Sequence, residues 1–140
     1  MNQNYSTYRQ TDVNTSSPTK IILMLYDGAT NFLKKSIEYA EQGDIKNKNI
    51  YANKARDIIV ELNNSLDIKA GGEIAMNLRR LYLFMNRHLM QASWNNNIKG
   101  IKEVIKLLSN LREAWQEIHD KNTGIDDDDQ PRQAGMEIRA

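Results

Sequence analysis

The sequence predicts an all-α protein, an antiparallel up-down-up-down four-helix bundle with an N-terminal docking arm and a disordered acidic C-terminal tail. Three observations carry that prediction. Apolar residues recur at the i, i+3, i+4, i+7 spacing of an amphipathic helix in four successive stretches, each of roughly 20–25 residues. Short polar turns with helix-capping residues separate them, and short connections make neighbouring helices antiparallel. No stretch shows the strict alternation of a half-buried strand. Residues 1–17 then form the arm, 18–121 the bundle and 122–140 the tail.

The arm is polar and rich in Asn, Ser and Thr, yet it carries Tyr5, Tyr8 and Val13, side chains suited to docking on an apolar surface. Ser16 or Ser17 followed by Pro18 is a helix start, because the hydroxyl accepts from an otherwise unpaired N–H and proline's fixed φ suits the first turn. The first helix runs to about Gln42, with Gly43 as its stop. At about 100° per residue Ile22, Leu25, Ala29, Phe32, Leu33 and Ala40 fall on one core stripe. Leu23 and Met24 point nearly the other way, where a helix with one buried face should be polar, so they require cover from outside the bundle. Gly28, inside this helix, costs about 1 kcal/mol against alanine. It marks the close approach either of a neighbouring bundle helix or of another backbone.

Asp44 caps a second helix that reaches about Leu66, with Tyr51, Ala55, Ile58, Ile59, Leu62 and Leu66 on its core face. Asp67 to Gly72 breaks it. The third helix, from about Gly72 to Trp94, buries Ile74, Leu78, Leu81, Met85, Leu89 and Ala92. It also carries a second apolar row nearly opposite, formed by Met76, Leu83, Met90 and Trp94, with Arg79, Arg80 and Arg87 beside it. Asn95, Asn96 and Asn97 turn the chain into a fourth helix whose core stripe is Ile101, Val104, Leu108, Leu111, Trp115 and Ile118. From Asn122 the pattern stops, Asp126 to Asp129 repel one another, and Pro131 and Gly135 break helix.

Composition excludes several function classes. The formal net charge is +1, so no overall field recommends nucleic acid or an anionic membrane as a partner. The chain has no cysteine, which removes thiol catalysis and cysteine metal sites and fits a cytoplasmic protein. The longest apolar run, Ile21 to Tyr26, is far short of the roughly 20 residues of a bilayer span. The two histidines, His88 and His119, sit on different helices without a partner at metal-ligand spacing. Glu113 and Glu117, one turn apart, are an ordinary solvated pair, and no glycine-rich phosphate loop is present. The expectation is a non-enzymatic protein without cofactor or metal.

What the sequence does supply is surplus apolar surface, Leu23, Met24 and Tyr26 on the first helix and the Met76, Leu83, Met90, Trp94 row on the third. Methionine suits a groove that accepts varied side chains. Covering a Leu or Met contributes roughly 1.5–3 kcal/mol, whereas micromolar affinity needs about 8 kcal/mol net. One row binds weakly, so a ligand should be long and wrap several faces, with little dependence on salt.

The combination of Tyr5-x-x-Tyr8, VNTSSP (Val13 to Pro18), LMLYDGA (Leu23 to Ala29), A-x-x-I-I-x-E-L (Ala55 to Leu62), GGEIAMNLRRLY (Gly71 to Tyr82) and LREAW (Leu111 to Trp115) resembles the FliS family of flagellar secretion chaperones. The resemblance implies an antiparallel helical bundle that binds the disordered C-terminal region of flagellin in the cytosol. Binding there prevents premature polymerisation and keeps flagellin competent for flagellar type III export. It implies further that the N-terminal segment, here with Tyr5 and Tyr8, belongs to the flagellin-binding surface and can lie over it. The chain departs from the family pattern at Leu83, where Asp is common, and at His88, which interrupts a basic pair. The flagellar export gate, another flagellar protein such as an anti-sigma factor, and a second copy of the chain are further partners to consider.

Overall fold

A computed structural model describes residues 17–124, which form four helices: α1 (Pro18–Glu41), α2 (Ile45–Asn64), α3 (Ile68–Trp94) and α4 (Ile98–Gly124). Tyr5, Tyr8, Val13 and the aspartate run lie outside the described residues. The helix starts are chemical. Ser17 Oγ accepts from the Lys20 N–H at 3.2 Å with Pro18 following, Asp44 Oδ1 accepts from Asn47 N–H at 3.1 Å, and Asp67 Oδ1 from Ala70 N–H at 3.0 Å. Asn96 takes a positive φ of 55° in the α3–α4 turn, a conformation asparagine tolerates, and Asn97 Oδ1 accepts from Gly100 N–H at 3.2 Å to open α4.

The helices close a ring in which α1 packs on α2 and α4, and α3 packs on α2 and α4. Three-residue turns make each neighbour antiparallel, as the periodicity predicts. Among the described residues there is no strand. The break expected at Asp67 to Gly72 has a finer form. Asp67 caps one helical turn, and the backbone leaves helical geometry only at Gly72, with φ 59° and ψ −132°. That region is open essentially to glycine alone, so Gly72 sets the angle at which the long part of α3 leaves the α2–α3 turn.

The predicted core stripes hold for most positions, with two corrections. In α1 the buried arc is wider than one stripe and includes Leu23 and Tyr26 as well as Ile22, Leu25, Ala29 and Leu33. The reason is that α1 serves two neighbours, and two contacts require an arc of about 160° on a helix turning 100° per residue. In α3, Ile74 is 51% exposed rather than core, and Tyr82 is buried in the centre.

Tyr82 is drawn in by a partner. Its hydroxyl and that of Tyr26, from the diagonally opposite helix, share a hydrogen bond of 2.6 Å, and Trp115 of α4 lies next to the pair. Burial pushes the Tyr82 phenol up to about 12 and the Tyr26 phenol well above its ordinary value. One polar knot thus ties three helices at the centre of the bundle.

Gly28 is explained by packing. A Cβ there would lie 3.2 Å from Ile58 Cδ1 of α2, so the close approach belongs to a bundle neighbour. About three turns further along α1, Tyr39 stacks on Tyr51 at 5.5 Å and the Lys54 ammonium lies 5.2 Å from the Tyr51 ring, closing that end of the α1/α2 side.

Candidate functional site

The candidate surface is built on α3, whose repeat puts Met76, Leu83, Met90 and Trp94 on one strip. All four are exposed, Leu83 at 49% and Trp94 at 84%. The strip flanks α2. At its C-terminal end Met90, Ser93 and Trp94 line a cleft of about 210 Å³ with Asn49, Asn53 and Arg56 of α2. Ser93 Oγ donates to Asn49 Oδ1 at 2.9 Å, joining the two walls at the floor.

Beneath this end lies Lys48, a buried lysine of α2. Its Nζ donates to the Ser93 carbonyl at 2.5 Å and lies 3.4 Å from Asn96 Oδ1. It thereby adds a second donor to a carbonyl that also accepts from the Asn96 N–H at 3.2 Å, in the last turn of α3, where the helix dipole favours a cation. Burial lowers its pKa from the ordinary lysine value. The Lys48 carbonyl in turn accepts from Ser36 Oγ of α1 at 2.8 Å, so the base of the cleft is fastened to three helices.

The groove is polar at its floor and cationic at its edge. Arg56 Nε, Asn63 Oδ1 and Asn86 Oδ1 are shielded from solvent and have no hydrogen-bond partner among the described residues. Buried polar groups in folded proteins are paired in the great majority of cases. Three such groups on the α2 and α3 walls mark a surface whose hydrogen bonding is incomplete in the free chain.

The residues proposed from sequence do not form one wall. Leu23 and Tyr26 are interior, so the expectation that they face outward is corrected, and Tyr26 is occupied by Tyr82. Met24 is half-buried on α1, which is diagonal to α3 across the ring. Met76, Leu83, Met90 and Trp94 are brought together as proposed.

A second exposed patch escaped the sequence reading. On the α4 side of α3, Ile74 and Phe84 are exposed, Leu81 is half-buried, and Phe84 stacks on His88 with ring centroids 5.3 Å apart. His88 Nε2 pairs with Glu103 of α4 at 2.8 Å, fixing that stack. Ile74, Leu81, Phe84 and His88 follow at spacings of seven, three and four, a helical row that merges with the core stripe when only apolar identity is counted.

Among the described residues no group of three or more His, Cys, Asp or Glu could hold a metal ion, and no helix is long and apolar enough to cross a membrane. The long-range ion pair Asp27–Arg112, 2.6 Å from Oδ1 to Nε, joins exposed faces of α1 and α4 and is structural.

Residues 1–122 match the model of a family described as flagellar protein FliS. The chain is 44% identical over 110 residues to the flagellar secretion chaperone FliS of Salmonella typhimurium, covering 78% of this chain and 82% of that one. It is 35% identical over 119 residues to the chaperone of the same name from Campylobacter jejuni, covering 85% and 93%. To that of Bacillus subtilis it is 34% identical over 113 residues, covering 81% and 84%.

Proposed function

The chain belongs to the FliS family of flagellar secretion chaperones, and from that premise we propose that it binds the disordered C-terminal region of flagellin in the cytoplasm. Binding would hold flagellin back from polymerising and deliver it to the flagellar type III export apparatus. The observation that carries this reading is the exposed Met76, Leu83, Met90, Trp94 strip beside the α2/α3 cleft. It is an apolar stripe at helical spacing, the shape that accepts an amphipathic segment.

Magnitudes set the ligand's length. The three aliphatic members of the strip are already more than half covered, and with Trp94 the remaining area is worth roughly 4–7 kcal/mol gross. Ordering a disordered segment costs about 2–5 kcal/mol, so the strip alone falls short of the roughly 8 kcal/mol of micromolar binding. A ligand that continues round α3 onto Ile74 and Phe84 makes up the difference. The same second face favours one other reading, in which another flagellar protein such as an anti-sigma factor is sequestered there. Competition between that protein and flagellin separates the two.

The test is titration calorimetry with a flagellin C-terminal peptide. Binding at micromolar concentration, weakened tenfold or more by Met90→Asp in a chain that melts as the wild type does, is the expected result. Absence of binding at tens of micromolar overturns it.

A further inference from the structure

We infer that the α2/α3 groove selects an amphipathic partner helix whose apolar stripe is flanked by carboxylates. The inference rests on the chaperone reading above and specifies what the groove recognises.

Along α3 the sequence runs Met76, Arg79, Leu83, Arg87, Met90, Trp94 at spacings of three, four, four, three and four. Apolar and guanidinium side chains therefore alternate turn by turn on one strip. The facing wall of α2 runs Asn49, Asn53, Arg56, Val60, Asn63 at spacings of four, three, four and three. Neither strip holds an Asp or Glu, although the chain has 18 acidic residues against 19 Lys and Arg. The nearest acid on α2, Asp57, is turned about 100° round the helix from Arg56.

None of the three strip arginines pairs with a carboxylate among the described residues, and Arg56 Nε is both buried and unpartnered. An apolar ligand settling on this groove strips water from the guanidinium groups and leaves them unpaired, which opposes binding. A ligand that brings carboxylates to the same places converts that penalty into charge-assisted, bidentate hydrogen bonds. The groove thus discriminates by what it leaves unsatisfied, and its binding carries more salt dependence than the chain's near-zero net charge suggests.

The apolar half of the ladder decides between occupants. Met76 to Trp94 spans about 27 Å at 1.5 Å per residue, the length of a partner helix with its own apolar stripe. The chain's own Asp126–Asp129 run has charge but is followed by Gln130 and Pro131 and offers no such stripe.

The experiment is calorimetry of the full chain with two flagellin C-terminal peptides, one native and one with every Asp and Glu replaced by Asn and Gln. The variant Arg79→Gln/Arg87→Gln changes exposed positions only, and Arg56→Gln is measured separately, each with circular dichroism as the check on folding. The inference predicts that the double variant weakens the native peptide about tenfold or more and leaves the neutral peptide unchanged. Equal effects on both peptides, or none, with Met90→Asp still disruptive, overturn the inference and leave the chaperone reading standing. Failure of both peptides to bind the wild type overturns that reading and the inference with it. If replacing Asp126 to Asp129 by Asn tightens the native peptide tenfold and abolishes the effect of the arginines, the groove's occupant is the chain's own tail, and the assignment to a partner helix is wrong.

Discussion

Tyr26 and Tyr82 show how much a single pair of residues commits. Each phenol is held in its neutral form by burial first, and the shared hydrogen bond with Trp115 beside it gives both hydroxyls a partner. Tyr82→Phe strands the Tyr26 hydroxyl in part and should lower stability by about 1–3 kcal/mol. The double change to Phe should cost less than the sum of the single changes, a non-additivity that denaturant melts of the four proteins would read directly. The pH dependence follows with a definite sign. The unfolded phenol ionises near 10.0 and folded Tyr82 near 12, so the folded state holds its proton longer. Stability from this pair is complete below pH 10 and is lost as pH rises from there through 12. Lys48 acts oppositely, because its depressed folded value raises stability as pH approaches 10.5 from below, so the tyrosine effect is read above that point. Urea midpoints at pH 10.5 and pH 11.5 should differ in the wild type and much less in the double Phe variant. Leu23 and Leu83 make a second contrast. Leu23→Asp buries a carboxylate and should destabilise the fold by about 4 kcal/mol or more. Leu83→Asp, at a half-exposed position, should change stability by less than about 0.5 kcal/mol.

At the scale of elements, the turns and crossings of the helices rest on small residues. A Cβ on Gly100 would lie 2.8 Å from the Ala92 Cβ of α3, an atom fixed to its own backbone. Gly100→Ala should therefore push α4 off the end of α3 and cost about 1–3 kcal/mol, measurable as a lowered melting temperature. Gly72→Ala meets open space but strained backbone, and should cost about 1–3 kcal/mol through the φ it cannot comfortably adopt. The two glycines differ in rescue. Ala92→Gly should recover part of the Gly100→Ala loss and none of the loss at Gly72. In the proposed function α3 is the element that carries the ligand surface. It presents the arginine-and-methionine strip toward α2 and the Ile74, Phe84 patch toward α4, with Tyr82 and Met85 between them in the core.

For the whole molecule, the bundle was legible because four stretches of 3.6-residue periodicity and the short turns between them agree with one another, and the caps at Ser17 and Asp44 form as their chemistry predicts, whereas the caps at Asp67 and Asn97 emerge from the structure. The α3 strip was legible for the same reason. What periodicity could not yield is the width of a buried arc. Leu23 lies at the edge of an arc set by two neighbours, and the rotation of α3 that exposes Ile74 and buries Tyr82 is decided by a hydroxyl partner 56 positions away in the chain. Such long-range polar pairing leaves no mark on local spacing. The arginines were visible beside the strip, but their lack of partners is a property of the packed structure. On the proposed function, α3 carries the ligand surface. Backbone amide shifts of the isotope-labelled chain, followed as a flagellin C-terminal peptide is added, read this out residue by residue. The largest changes are expected along Met76 to Trp94 and on the facing side of α2 from Asn49 to Asn63. Changes absent, or confined to the outer face of α1 with the α3 strip unmoved, would contradict it.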